Sequence, residues 1–127
     1  MRLAVAMLVL AACHPSPRPR PAPTAYERIE ARLPGFVAMM TGLGKELEAI
    51  DNCRDVAARL RRFGLEHADE LPELEELRAR LSPAERERFA WEHDDEEREL
   101  AKAFHTVASA CSDNAEVGAA RAIAGFR

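Results

Sequence analysis

The feature that most constrains the fold is a stripe of apolar residues that recurs in alternating steps of three and four positions. This spacing places every member on one face of an α-helix, whereas a half-buried strand would alternate with period two. The stripe consists of Tyr26, Ile29, Leu33, Phe36, Met40, Leu43, Leu47 and Ile50. Pro34 lies off the stripe, so we expect a kink there rather than a helix end. The pattern predicts a long amphipathic first helix that packs against other helices.

The next two helices are indicated by a cap and by a capping box. Asp51 is a favourable N-cap, and apolar positions at helical spacing follow over residues 53–81, with a bend expected at Pro72. The stretch Ser82-Pro83-Ala84-Glu85 then places Ser at the N-cap, Pro at N1 and Glu at N3. A third helix is therefore expected to begin there, with an apolar stripe that reaches Cys111.

A short fourth helix completes the predicted fold. Asp113 is expected to cap it, and its apolar positions end at Phe126. No alternating apolar run marks a strand, and helix-favouring Ala, Leu, Glu and Arg dominate the composition. We expect an all-α domain, an antiparallel, up-and-down bundle of three long helices plus a short fourth.

The start of the chain has the pattern of an export signal. Met1 and Arg2 precede an unbroken apolar run of ten residues that ends at Ala12. A membrane-spanning helix needs ~20 such residues, whereas a signal-peptide core is shorter. Leu10-Ala11-Ala12-Cys13 resembles the bacterial lipobox, and this resemblance implies that Cys13 becomes the first mature residue and carries lipid. The alternative is an ordinary signal peptide followed by a chance cysteine.

Prolines occupy every second position from Pro15 to Pro23. They cannot join a helix, and they favour an extended path of roughly 30 Å. We therefore divide the chain into a signal peptide at 1–12, a lipidated Cys and Pro-rich tether at 13–23, and a helical bundle domain at 24–127. The expected location is the cell envelope, with a membrane as partner through the lipid anchor. His14 replaces the Asp that retains lipoproteins in the inner membrane, so the lipobox resemblance implies the outer membrane in a double-membrane bacterium.

Two cysteines remain after Cys13. In an exported domain an even pair favours a disulfide. Cys53 lies 29 residues before Ser82 and Cys111 lies 29 residues after it, so an antiparallel hairpin at Ser82 brings the two together. A Cys53–Cys111 bridge would stabilise the fold by about 4 kcal/mol in the chain-entropy model. The alternative is a pair of buried free thiols.

These features together resemble a group of small bacterial lipoproteins such as myxobacteria carry in numbers. The shared pattern is the lipobox, the Pro-rich tether, an Asp-x-Cys helix start at Asp51-Asn52-Cys53 and a second Cys some sixty residues later. The resemblance brings no known activity. A looser likeness is to the cytochrome b562-type bundle, which binds haem through a Met of its first helix and a His of its last. Met39 or Met40 could supply the Met, but the fourth segment contains no His and His105 lies on the third helix.

A metal site is the second functional hypothesis. The hairpin register places His67 opposite Glu97, with His93 one turn away, and two His with a carboxylate form a minimal set for a divalent transition metal. Alternatively, His67 only pairs with Glu97 or caps the bend near Pro72. No cofactor is otherwise expected.

Trp91 is the single tryptophan of the chain. It could anchor a protein partner from an acidic helix. The interpretation that we favour from the sequence is that it covers the edge between the third and first helices.

Charge excludes one class of partner. All 22 acidic residues but only 15 of the 18 basic residues follow Pro23, so the domain carries a net charge of −7. Nucleic-acid binding needs a clustered positive face and is not expected. No nucleophile–base pair, phosphate loop or C-x-x-C motif indicates an enzyme. The leading hypothesis is a non-enzymatic, membrane-anchored envelope lipoprotein with a structural or protein-interaction role, and the alternative is a metal-binding, or less favoured haem-binding, lipoprotein.

Overall fold

The chain forms six α-helices within residues 17–126, the part that the computed structural model describes. They are α1 (Ala25–Glu48), α2 (Cys53–Glu66), α3 (Glu70–Ala79), α4 (Pro83–Glu92), α5 (Asp94–Ser109) and α6 (Ala115–Ile123). No strand occurs in this range. The all-α prediction is confirmed. There are six helices rather than four, because the predicted second and third helices are each interrupted.

The first helix follows the apolar stripe. Thr24 caps it in a capping box: its hydroxyl accepts from the Glu27 backbone N–H at 3.2 Å, and the Glu27 carboxylate accepts from the Thr24 N–H at 2.9 Å. The helix continues through Pro34 to Glu48, and every stripe residue within it is buried. Residues 17–24 before it are exposed and not helical. The first helix therefore begins at a defined cap directly after Pro23.

The predicted second helix is broken rather than bent. α2 ends at Glu66 and α3 begins at Glu70, so the interruption precedes Pro72. In a continuous helix Pro72 would remove one backbone hydrogen bond and crowd the carbonyl of Ala68, four residues earlier, a cost that α1 bears at Pro34. A new helix that starts at Glu70 places Pro72 in its first turn, where a backbone N–H has no intrahelical acceptor and its loss costs little.

The predicted third helix is broken at one residue, His93. Its backbone leaves the helical region at φ −121° and ψ 32°, and it ends α4 and precedes α5. The new start places Asp94, Asp95, Glu96 and Glu97 in the first turn of α5. Carboxylates at a helix N-terminus interact favourably with the helix dipole, which gives this acidic run a structural reason.

Two of the predicted caps are displaced by one residue. Asn52, not Asp51, caps α2 by accepting from the Asp55 N–H at 2.9 Å, and Asn114, not Asp113, caps α6. Asp and Asn are about equally good caps, so adjacent Asp-Asn pairs leave the choice open in sequence. The Ser82 capping box is confirmed, with both reciprocal bonds to Glu85 present.

The helices pack chiefly as two pairs, α1 with α5 and α2 with α6. α5 runs in the same direction as α1, because Glu30 contacts His93 at one end and a Cβ on Gly44 would lie 3.3 Å from the Thr106 side chain at the other. α3 packs on the first half of α1, where Glu73 pairs with Arg32. All six helices contribute to one apolar core, and no polar or charged residue of the described range is buried in it.

Cys53 and Cys111 lie within disulfide-bonding distance, with Cα atoms 5.7 Å apart. Cys53 is the first residue of α2, and Cys111 follows α5 by two residues. The link joins the ends of these helices that lie furthest from Thr24. The pairing predicted from the sequence agrees with this geometry.

The hairpin register does not hold in the middle of the molecule. Glu97 pairs with Arg78 of α3, whereas His67 pairs with Glu70 at 2.9 Å. The register was counted along continuous helices, and the two breaks shift it. Agreement at the disulfide end therefore gives no guide to contacts near the breaks.

Candidate functional site

The candidate site lies at the break between α4 and α5, where several polar side chains contact one another. His93 is only 16% exposed in its side chain, and its Nε2 atom lies 3.2 Å from Glu30 Oε1 on α1. Its ring contacts that of Phe89, one turn earlier, with centroids 4.6 Å apart. The break in the helix and the Phe89 ring together fix the direction of the imidazole.

Glu92, the neighbour of His93, is held from two sides. It accepts a hydrogen bond from the Tyr26 hydroxyl and a second, at 3.0 Å, from Arg88 Nε. The Arg88 guanidinium also lies over the Tyr26 ring, 4.4 Å from its centroid. The bond from Tyr26, followed by that from Arg88, lowers the pKa of Glu92 below its ordinary value. Burial, with the bond to Glu92, raises the pKa of Tyr26.

Glu30, Glu92 and His93 therefore form a three-residue cluster, which we call the His93 cluster. One ligand atom from each lies within 4.8 Å of the others. One carboxylate comes from α1, and the other two residues come from the end of α4 and the break that follows it. The set combines an imidazole nitrogen with two carboxylate oxygens, which suits a divalent transition metal.

The metal set predicted from sequence is not brought together. His93 belongs to the His93 cluster, but His67 and Glu97 do not, and the three predicted residues form no such group among residues 17–126. His67 pairs with Glu70 and Glu97 pairs with Arg78. The physical reason is the register shift that the two helix breaks introduce.

An internal repeat explains why the two histidines look alike. Residues 62–70 read Arg-Phe-Gly-Leu-Glu-His-Ala-Asp-Glu, and residues 88–96 read Arg-Phe-Ala-Trp-Glu-His-Asp-Asp-Glu, which agree at six of nine positions. In each copy the helix ends at the Glu, and the His backbone N–H donates to the Phe carbonyl at 3.0 Å. The Phe–His ring distances are 4.8 Å in the first copy and 4.6 Å in the second. Sequence reasoning missed this repeat, which marks both helix ends.

Of the two histidines, His93 lies beside a carboxylate of α1, whereas the carboxylates beside His67 are Glu66 and Glu70. The first copy has its own neighbours, Glu66 at 3.9 Å and Glu70 at 2.9 Å from His67 ring nitrogens. Both belong to the same chain segment as His67. Glu30 could not be found from the sequence, because its approach to His93 depends on the packing of α1.

The fourth position of the repeat is exposed in both copies. Leu65 is 85% exposed and Trp91 is 84% exposed. The favoured interpretation that Trp91 covers the edge between two helices is therefore wrong, because this position of α4 points away from α1. Trp91 lies in a surface depression with Glu87, Ala90 and Asp94, so its rim is acidic.

Another depression, of about 480 Å³, lies between α1 and α5. Lys45, Glu48, Glu99 and Lys102 line it, so its charges balance. Because the two lysines offset the two glutamates, this depression would favour neither an anionic nor a cationic ligand.

The remaining predicted residues have simple placements. Cys13, the lipobox and the signal peptide lie outside the described residues. Met40 is fully buried in the core and Met39 lies partly buried beside it, whereas His105 is exposed and near Ser109. This placement does not favour a haem site between the first helix and His105.

Comparison with known protein families, with curated proteins and with solved structures finds no match for the chain. Among the helices of residues 17–126, none has the length and apolar content to cross a membrane. Function is therefore inferred from the residues and their geometry.

Proposed function

We propose that the chain is a lipid-anchored lipoprotein of the cell envelope whose helical domain binds a protein partner through Trp91, without an enzymatic role. The exposed Trp91 carries the proposal. A large aromatic ring on a rigid helix adds much contact area on binding at little conformational cost, and such residues dominate interface energies.

The partner would have a basic rim around an apolar pocket. Glu87 and Asp94 border the Trp91 depression, and Asp95 follows at the start of α5. Acidic groups around an apolar centre steer a partner of opposite charge and add specificity. Protein is preferred to nucleic acid as the partner, because phosphates would be repelled by this surface.

The position of Trp91 is compatible with a tethered domain. Tyr26, at the start of α1, contacts both Phe89 and Glu92 on either side of Trp91. The Trp91 surface therefore lies at the end of the domain where the Pro-rich tether joins. With lipid on Cys13, the partner would be a protein of the same membrane surface. The resemblance to myxobacterial lipoproteins supports this location, as an expectation of the lipobox and tether.

Cross-linking in intact cells tests the interaction. We expect Trp91→Ala to lose a cross-linked partner that the parent chain retains. Leu65→Ala is the matched control, because it removes an equally exposed apolar side chain from the same position of the repeat. Loss of the partner in both variants, or in neither, would contradict the assignment to Trp91.

The anchor is tested separately with Cys13→Ser. We expect this variant to lose palmitate labelling, while Cys53→Ser keeps it. Labelling that persists in Cys13→Ser would show that the lipobox interpretation is wrong.

A further inference from the structure

We propose that the His93 cluster is a binding site for a divalent transition metal such as Zn²⁺, with Glu30, Glu92 and His93 as its protein ligands. This inference goes beyond the proposed interaction role and does not depend on it.

The spacing of the ligand atoms carries the proposal. Nitrogen and oxygen ligands of a tetrahedral zinc lie 2.0–2.2 Å from the metal, so two of them are roughly 3.3 Å apart. His93 Nε2 and Glu30 Oε1 are 3.2 Å apart. The Glu92 carboxylate completes a group whose ligand atoms all lie within 4.8 Å. Closing the set to tetrahedral spacing requires the exposed Glu30 and Glu92 carboxylates to move closer to each other and to His93.

The side chains around the three proposed ligands hold two of them, Glu92 and His93, in position. Metal-binding carboxylates are commonly oriented by further hydrogen bonds. Tyr26 and Arg88 supply two such bonds to Glu92. Phe89 packs on the His93 ring and so restrains the third ligand.

The donor set selects the class of metal. An imidazole with two carboxylates favours Zn²⁺, Co²⁺, Ni²⁺ or Cu²⁺, whereas Ca²⁺ and Mg²⁺ favour oxygen ligands alone. Three protein ligands leave one position of a tetrahedral site for water. The two carboxylates balance the charge of the ion. Arg88 Nε donates to Glu92 Oε1 and the Tyr26 hydroxyl donates to Glu92 Oε2, so a metal would bind through a remaining lone pair of one of these oxygens.

The alternative is that Glu30 and His93 form only an ion pair that joins α1 to the α4–α5 break. The two interpretations differ in two respects: an ion pair needs only Glu30 and His93, and it binds no metal. The first copy of the repeat supplies a comparison, because His67 has the same stacking on Phe63 and a closer carboxylate at Glu70. Both carboxylates near His67, those of Glu66 and Glu70, lie within three residues of it in sequence, and none comes from α1.

The experiment is calorimetric titration of the metal-stripped full chain with Zn²⁺ alone, together with melting in the presence and absence of Zn²⁺. We expect one Zn²⁺ per chain and a rise in melting temperature. His93→Gln should abolish both effects, and Glu30→Gln, an exposed change that leaves the core intact, should weaken binding by at least about tenfold. His67→Gln should bind as the parent does.

Absence of binding by the parent chain would overturn the proposal. Equal loss in His67→Gln and His93→Gln would overturn it too, since binding would then reside in histidines generally. If His93→Gln fails to fold, the Glu30→Gln result decides alone, and unchanged affinity in that variant would refute the site.

Discussion

Alanine at Gly64 tests how closely α2 and α6 approach each other. A Cβ built on Gly64 lies 3.0 Å from the Ala124 Cα atom and 3.3 Å from its Cβ. The nearest atom is backbone, so it cannot move aside by a side-chain rotation. Gly42, in α1, is the matched control, because a Cβ there meets no atom within 4 Å.

The two substitutions share one effect and differ in another. Each replaces a helical Gly by Ala, which stabilises a helix by about 1 kcal/mol. Only Gly64→Ala also forces an overpacked contact, which costs about 1–3 kcal/mol. We therefore expect Gly42→Ala to raise the free energy of unfolding by about 1 kcal/mol, and Gly64→Ala to leave it unchanged or lower it by up to about 2 kcal/mol.

Urea denaturation followed by far-UV circular dichroism measures this difference, with both variants and the parent full chain in the same detergent. The two variants should differ by about 1–3 kcal/mol in unfolding free energy, with unchanged m-values. Equal stabilisation by both alanines would refute the close packing of α2 on α6.

Three further predictions concern stability. Replacing both Cys53 and Cys111 by Ser should lower the free energy of unfolding by about 4 kcal/mol, and a mass spectrum of the unreduced parent should show the linked peptides. The Arg59 guanidinium lowers the pKa of Glu46, so this pair stabilises the fold above the ordinary Glu pKa, and the contribution is lost as pH falls through the lowered value. Glu46→Gln should therefore lose less stability than the parent between pH 7 and pH 3 in urea titrations; an equal loss would show that the pair is unimportant. Ser82→Ala should cost about 1 kcal/mol in the same assay through loss of the α4 cap, and no loss would contradict that role.

The strong periodic signals predicted the fold class well. The stripe that begins at Tyr26 is long enough to define both a helix and its buried face, and it was confirmed from Tyr26 to Leu47. The Ser82 box defines a helix start by local hydrogen bonds alone. Such features need no knowledge of tertiary packing, which is why the sequence suffices for them.

The candidate site was only partly predictable. His93 was identified, but its partners were not, because Glu30 reaches it from a helix more than sixty residues away in sequence. The wrong set with His67 and Glu97 came from a register that assumed unbroken helices. The repeat would have predicted that His67 and His93 have similar local surroundings, and that Trp91 and Leu65 occupy equivalent positions.

The Cys53–Cys111 pair and residues 17–23 lie at opposite ends of α1, about 36 Å apart for a helix of 24 residues. A pulling force on residues 17–23 enters at Thr24 and first loads the contacts of Tyr26 with Phe89 and Glu92. When the opposing force acts at Trp91, the Cys53–Cys111 pair lies outside the path through these contacts, so it would bear no tension until α1 had separated from α4. The described helices would then respond asymmetrically to force: non-covalent contacts would set the force at which α1 first separates, and a disulfide between Cys53 and Cys111 would limit how far the chain extends afterwards.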